Sequence, residues 1–149
     1  MNVFSPTLTP AVAPQVVALH KAPLPRRCPL SAVYRKAARL IAVNGHHQGD
    51  YCPDPFDRKS RTPHAERPLS IVAAIRCAVS ASPHRATELS EAAVKVLAYR
   101  LEVEGEPPWS DAPRWLENHV DCWGDAPGRT AECAVAVLEA AADASEVAA

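Results

Sequence analysis

The sequence predicts an all-α protein, a small bundle of four main helices and one short helix. Of its 149 residues, 28 are alanine, a strong helix former, and only five are glycine. Apolar residues recur at helical spacing in several separate segments. Most of the 15 prolines fall between those segments, so we expect non-helical stretches to separate the helices.

The chain is expected to hold one domain with two tails. Six prolines among the first 29 residues predict a disordered or extended tail over 1–29, because proline breaks both helical and strand periods. A single helical domain is expected over 30–143, and residues 144–149 should fray. These prolines also interrupt any apolar run, so we expect no secretory signal and no membrane association. Five cysteines without a C-x-x-C pair favour reduced thiols and a cytoplasmic location.

The first helix is predicted over residues 30–43, and Asn44-Gly45 is its expected stop. Residues 45–67 are rich in proline and charge, which predicts a long polar loop. A short hairpin around Tyr51 and Phe56 is an alternative for part of this loop. The apolar stripe of the first helix is Leu30, Val33, Tyr34, Ala37, Leu40 and Ile41.

Two further helices follow the loop. The second is predicted over 68–81 with Pro68 in its first turn, and its nearly continuous apolar character predicts a central position. The third is predicted over 87–104, and Gly105 with Pro107-Pro108 ends it.

A short internal repeat precedes the last helix. The sequence Trp109-Ser110-Asp111-Ala112-Pro113 recurs as Trp123-Gly124-Asp125-Ala126-Pro127. The first copy is expected to open a short helix over 113–120. The second leads to Thr130, the predicted N-cap of a final helix over 131–142. Each aspartate is expected to accept backbone amides at its turn.

The tryptophans allow two interpretations. Packed inward, they would supply the large buried area that alanine-rich helices lack. Exposed, they would form an anchor for a partner. The common register of the two repeat copies favours packing. The residues expected to be structural are Trp109, Asp111, Trp123, Asp125 and Thr130.

Two motifs carry a resemblance to a known family. The first is the polar loop HHQGDY after a basic helix that ends in Asn44-Gly45, and the second is WGDAPGRT followed by the final helix. Over roughly residues 30–143 the chain resembles a small actinobacterial family, domain of unknown function 6197. The resemblance implies a mostly helical domain and brings no known activity or cofactor.

The charge is distributed unevenly along the chain. Residues 21–76 hold eleven basic and four acidic side chains, whereas residues 77–149 hold five and thirteen. One interpretation is a basic surface for nucleic acid or an acidic partner protein. The other is internal pairing, with the acidic third helix covering the basic first. The candidate binding residues are Arg26, Arg27, Arg35, Lys36, Arg39, Arg58, Lys59 and Arg61.

One cluster of residues within the loop suggests a metal site. The candidate zinc ligands are His46, His47, Cys52 and His64. Their spacing matches no common zinc motif, and the alternative is a set of solvated histidines with one half-buried thiol. No other cofactor is expected.

Catalysis is not expected. A set such as Cys52, His47 and Asp54 can be written, but nothing marks an activated nucleophile, and the common phosphate-binding and hydrolase motifs are absent from the sequence. The sequence therefore predicts a cytoplasmic, non-catalytic interaction or regulatory module with a basic amino-terminal contact surface. A zinc-binding protein and an enzyme of unknown reaction are the alternatives.

Overall fold

The computed structural model describes residues 29–148, and within them it confirms the all-α class. The elements are α1 (Pro29–Asn44), α2 (Ile71–Ser80), α3 (Glu88–Ala98), α4 (Pro113–Asp125) and α5 (Ala131–Val147), with a 3₁₀ turn at His64–Glu66. The tail expected over 1–29 lies outside the described residues, apart from Pro29, where α1 begins. No helix in this range combines the length and the apolar character needed to cross a membrane.

The helix α1 ends as its sequence predicts. Gly45 has a φ of +98°, a left-handed value that side chains strain to adopt, and its amide donates to the carbonyl of Ile41 at 2.8 Å. The inward face of α1 packs along α5 and across α2. Its buried residues are Ser31, Val33, Tyr34, Ala37, Ala38 and Ile41.

The helix α2 begins at Ile71, three residues later than the predicted start at Pro68. Its cap is Ser70, whose Oγ accepts from the amide of Ala73 at 3.1 Å. Leu69 is held in an extended pairing with the preceding loop, because its amide donates to the carbonyl of Gly45 at 3.1 Å. All residues from 71 to 77 are buried, so α2 occupies the predicted central position.

The loop between α1 and α2 does not form the hairpin that was an alternative around Tyr51 and Phe56. In the part of the chain that the structure describes, its bridge joins His46 in parallel to Leu69. Two of the residues between the expected hairpin strands are prolines, which lack the amide that a hairpin ladder requires.

Asp54 and Arg67 organise the middle of this loop. The carboxylate of Asp54 accepts the amides of residues 58–60 at 2.6 to 3.0 Å, and the bonds from residues 60 and 59 lower its pKa. The buried Arg67 donates to the carbonyl of Asp54 at 2.8 Å and to the carboxylate of Asp57 at 2.5 Å. Such charge-assisted bonds fix a segment that has no regular structure.

The helix α3 is shorter than predicted. It begins at Glu88, one residue after the predicted start, and Thr87 is its cap, since the Oγ1 of Thr87 accepts from the amide of Ser90 at 3.1 Å. The helix ends at Ala98 rather than near residue 104. Beyond it, Val103 and Glu106 exchange two backbone hydrogen bonds of 3.0 Å across a tight turn. Gly105, the predicted stop, lies inside this turn with a φ of +81°.

The helix α4 is a full helix, whereas the sequence predicts a short one over 113–120. It continues to Asp125 because Leu116, Val120 and Trp123 form one unbroken inward face. The second copy of the repeat therefore lies at the end of a helix and not in an open turn. Within the described residues the bundle has five helices of 10 to 17 residues, rather than four and a short one.

The helix α5 begins at the predicted cap. The Oγ1 of Thr130 accepts from the amide of Cys133 at 3.3 Å. The helix then runs to Val147, although the sequence predicts fraying after Asp143. Ser145, in this last turn, is buried against the rest of the bundle.

An ion-pair cluster between α1 and α5 explains this extension. Arg35 lies 2.7 Å from Glu139, 2.8 Å from Asp143 and 3.1 Å from Glu146, carboxylates on successive turns of α5. Internal charge pairing is therefore present, but the acidic helix that covers α1 is α5 and not α3.

We predict that Thr130→Ala lowers the free energy of unfolding by about 0.5 to 2 kcal/mol, because the amide of Cys133 loses its acceptor. Thr130→Ser keeps the hydroxyl and should stay within a few tenths of a kcal/mol of the wild type. Urea denaturation followed by circular dichroism measures both. Equal stability of the alanine variant and the wild type would contradict the role of this cap.

Candidate functional site

Two of the three tryptophans lie on the surface as a pair. Trp109 is 78% exposed and Trp115 is 42% exposed, and their ring centroids are 4.8 Å apart at an interplanar angle of 60°. The packed position favoured by the repeat is therefore wrong for these two. Trp115 precedes the inward-facing Leu116 by one residue. Because successive residues of a helix are about 100° apart around its axis, the side chain of Trp115 lies off the core face of α4.

A groove of about 290 Å³ opens between α3 and α4. Its floor is apolar, with the buried side chains of Val94 and Leu116. Trp109 and Trp115 do not line the groove themselves, but along the chain they flank its lining residues 111 and 113. The charged residues on its rim are Glu88, Glu91, Lys95, Asp111 and Glu117.

The rim of this groove carries an excess of negative charge. Arg76 donates to Glu117 at 2.5 Å, and the Nζ of Lys95 lies 3.9 Å from Asp111, so two of the four carboxylates are paired. Asp111 also accepts a hydrogen bond from the hydroxyl of Tyr99 instead of from the backbone of its own turn. The carboxylates without a basic partner among the described residues are Glu88 and Glu91.

The third tryptophan has a different environment. Trp123 is only 9% exposed, and the guanidinium of Arg129 lies 3.9 Å from the centroid of its ring. The Nε of Arg129 also donates to the carbonyl of Trp123 at 3.1 Å. Trp123 is thus packed, as the repeat suggests, and a cation covers its outer face.

The polar loop after α1 docks on the end of α4. The carbonyl of Gly124 accepts two hydrogen bonds from this loop. One comes from the Nε2 of His46 at 3.0 Å, in the tautomer that carries a proton on Nε2, and the other from the side-chain amide of Gln48 at 2.9 Å. The amide of Gly49 donates to Asp125 at 3.0 Å, so Asp125 binds this loop and not its own turn.

This docking encloses a polar pocket of about 280 Å³ lined by Gly49, Asp50, Tyr51, Asp121 and Asp125. Burial, together with the negative charges of Asp125 and Glu117, raises the pKa of Asp121 to about 7, whereas Arg76 opposes the shift. The Oδ1 of Asp121 is buried and has no hydrogen-bond partner among the described residues. A carboxyl that titrates near neutral pH in a pocket marks a candidate functional position.

The two motifs that carry the family resemblance therefore meet at one pocket. The profile of a family of unknown function, DUF6197, matches residues 25–144, which is most of the chain. The chain belongs to this family. No curated protein and no solved structure shows a match. In this member of DUF6197, the loop over residues 46–51 and the segment over 123–130 touch through the bonds to Gly124 and Asp125.

The four candidate zinc ligands do not converge. His46 contacts α4, while the Nε2 of His64 lies 3.1 Å from Asp57. Cys52 is fully buried, and burial raises the pKa of its thiol. His47 pairs through its backbone amide with Leu69. In residues 29–148, no three histidine, cysteine, aspartate or glutamate side chains are grouped so that they would hold a metal ion.

The candidate basic surface divides into parts. Arg26 and Arg27 lie outside the described residues, and Arg35 is bound by the carboxylates of α5. Arg58 lies over the ring of Phe56 with its guanidinium 5.7 Å from the centroid. The exposed basic residues on the outer face of α1 and in the loop are Lys36, Arg39, Arg58, Lys59 and Arg61.

Sequence reasoning missed the Asp121 pocket and the groove. A signal for the pocket was present, because Glu117, Asp121 and Asp125 recur every four residues and so share one face of a helix. The groove had no comparable signal. It depends on how α3 and α4 pack together, which periodicity within either helix does not define.

We predict that Asp121 makes the stability of the protein fall as pH rises. Its pKa of about 7 in the fold lies above its ordinary value of 3.8, so the folded state holds the proton more tightly and loses stability between about pH 4 and pH 7. Asp121→Asn removes this loss. The advantage of the variant over the wild type should grow from pH 4 to pH 8 by at most about 4 kcal/mol.

Urea denaturation at a series of pH values tests this prediction. The groups that face Asp121 are Asp50, Glu117, Asp125 and Arg76, and all of them are kept in the variant. Glu106→Gln, which removes an exposed carboxylate elsewhere, is the matched control and should follow the wild-type profile. Parallel profiles for wild type and Asp121→Asn would show that Asp121 does not titrate near neutral pH.

Proposed function

We propose that this protein is a non-catalytic interaction and regulatory module that binds a partner protein through the Trp109–Trp115 pair and the groove beside it. The observation that supports the proposal is the exposure of two tryptophans whose rings contact each other on one face. Tryptophan is enriched among the residues that dominate binding energy at interfaces. Its large, rigid ring buries much area on binding at little cost in side-chain entropy.

The composition of the chain strengthens this argument. It has eight aromatic residues in 149, and much of its core is alanine. Burying one tryptophan removes about 150 to 250 Å² from water, which at about 25 cal/mol per Å² stabilises a fold by several kcal/mol. A protein that leaves two of these rings outside its core forgoes that stabilisation, and a partner that covers them would recover it.

The two buried cysteines support a non-catalytic role. Cys52 and Cys77 are buried, and burial raises the pKa of both thiols, that of Cys77 to about 11. Neither is therefore the thiolate that a nucleophilic mechanism needs at neutral pH. The proposal also includes a cytoplasmic location in an actinobacterium, which the cysteine pattern and the sequence resemblance support.

The exposed basic side chains support a second candidate function, which is contact with nucleic acid or with an acidic protein. Lys36 and Arg39 lie one turn apart on the outer face of α1, and neither has an acidic partner among the described residues. Binding of this kind weakens steeply with salt as counterions are released, and Lys36→Gln/Arg39→Gln should flatten that dependence. The tryptophan face is favoured because it combines two exposed aromatic rings with a groove that has an apolar floor.

We predict that Trp109→Ser/Trp115→Ser abolishes partner binding and leaves the fold intact. The experiment uses the full chain as immobilised bait in a lysate of the organism that encodes it, with quantitative mass spectrometry of the captured proteins. The matched control is Val43→Ser, which removes an apolar side chain that is 82% exposed on α1. A partner of the tryptophan face is enriched by the wild type and by Val43→Ser and is lost with the double variant.

Two outcomes would contradict the proposal. The same proteins captured by all three baits would show that the tryptophan pair contacts none of them. Unfolding of the double variant, seen by circular dichroism, would show that the rings stabilise the fold. In that case Trp109→Phe/Trp115→Phe, which keeps an aromatic surface, should restore the fold.

A further inference from the structure

The charges around the tryptophan pair indicate the class of its partner. We infer that the groove between α3 and α4 binds a positively charged peptide segment, one that carries arginine or lysine next to an apolar residue. This inference rests on the proposed function, because it names the partner of the same face.

The chain surrounding the pair is acidic. Residues 86–118 contain seven acidic and three basic side chains, a net charge of −4. In the turn before Trp109, the exposed Glu106 lies three residues from it, whereas Glu102 and Glu104 line a separate pocket with Trp123 and Arg129. A partner that approaches Trp109 therefore meets a negative field, and a basic segment is attracted while an acidic one is repelled.

Pairing within the groove leaves a specific position for a cation. Glu117 is already bound by Arg76, and Asp111 is near Lys95. Glu88 and Glu91 are three residues apart in the first turn of α3, and both are exposed and line the groove. Two adjacent carboxylates without a basic partner in the described chain present acceptors for a guanidinium or an ammonium group.

The tryptophan rings and the groove floor complete the recognition chemistry. A cation placed over the face of a tryptophan is attracted by the negative π surface of the ring. The same fold contains this arrangement internally, where Arg129 lies over Trp123. Val94 and Leu116 form an apolar floor, which suits an aliphatic side chain next to the basic one.

The test is a selection of peptides from a random 12-residue library displayed on phage, with the full chain as the immobilised target. Three targets are compared: the wild type, Trp109→Ser/Trp115→Ser, and Glu88→Lys/Glu91→Lys. A fourth target, Glu66→Lys/Glu132→Lys, makes the same change of net charge at exposed carboxylates outside the groove. Peptides enriched on the wild type are then synthesised, and their affinities are measured by fluorescence anisotropy.

The inference predicts that peptides enriched on the wild type are rich in arginine and lysine. Their affinity should fall at least about tenfold for Glu88→Lys/Glu91→Lys, because attraction is replaced by repulsion at two positions, and should change little for the Glu66 and Glu132 control. The tryptophan double variant should bind none of them. This pattern would support a basic partner at this face.

Other results would overturn the inference in distinguishable ways. Peptides that need the tryptophans but are neutral or acidic, and bind the Glu88 and Glu91 variant as well as the wild type, would overturn the basic partner and keep the proposed function. Peptides that bind without the tryptophans would contradict both. A wild type that sediments as a dimer while the tryptophan variant sediments as a monomer would assign the face to a second copy of the chain and overturn a basic partner.

Discussion

Packing between the alanine-lined faces of α1 and α5 is the constraint on which the rest of the fold depends. Ala37 and Ala38 of α1, together with Ala141 and Ala142 of α5, are at most 1% exposed. Small side chains allow two helices to approach closely, but each removes little apolar area from water. The core therefore depends on a few larger residues. Because large side chains are scarce, the position of Trp109 and Trp115 outside the core is the feature that most needs a functional explanation.

The buried side chain of Arg76 connects the two candidate sites to this core. Arg76 of α2 is 6% exposed, donates to Glu117 at 2.5 Å, and lies with its guanidinium 5.1 Å from the centroid of the Tyr51 ring. Glu117 lines the groove and Tyr51 lines the polar pocket. A buried charge without a partner is strongly destabilising, so the fold holds both neighbours in place. Arg76 also attracts Asp121 and limits the rise of its pKa.

Local signals in the sequence predicted the helix ends that depend on neighbouring residues. Gly45 and Thr130 act as the stop and the cap that their residue types indicate. The predicted start of α2 was wrong because a tertiary pairing of Leu69 with the preceding loop competes with the helix. The two copies of the repeat differ in structure because, of their two tryptophans, only Trp123 continues the inward face of α4. The exposed tryptophan pair, the groove and the Asp121 pocket depend on packing between distant segments, which periodicity does not describe.

Acrylamide quenching of fluorescence tests the exposure of the tryptophan pair most directly. Acrylamide is uncharged, so the acidic surroundings of Trp109 do not bias its access. Two variants are compared, one with Trp115→Phe/Trp123→Phe and one with Trp109→Phe/Trp115→Phe, so that each retains one tryptophan. The account predicts strong quenching and red-shifted emission when Trp109 remains, and weak quenching with blue-shifted emission when Trp123 remains. Equally weak quenching in both would show that Trp109 is buried and would contradict the central claim.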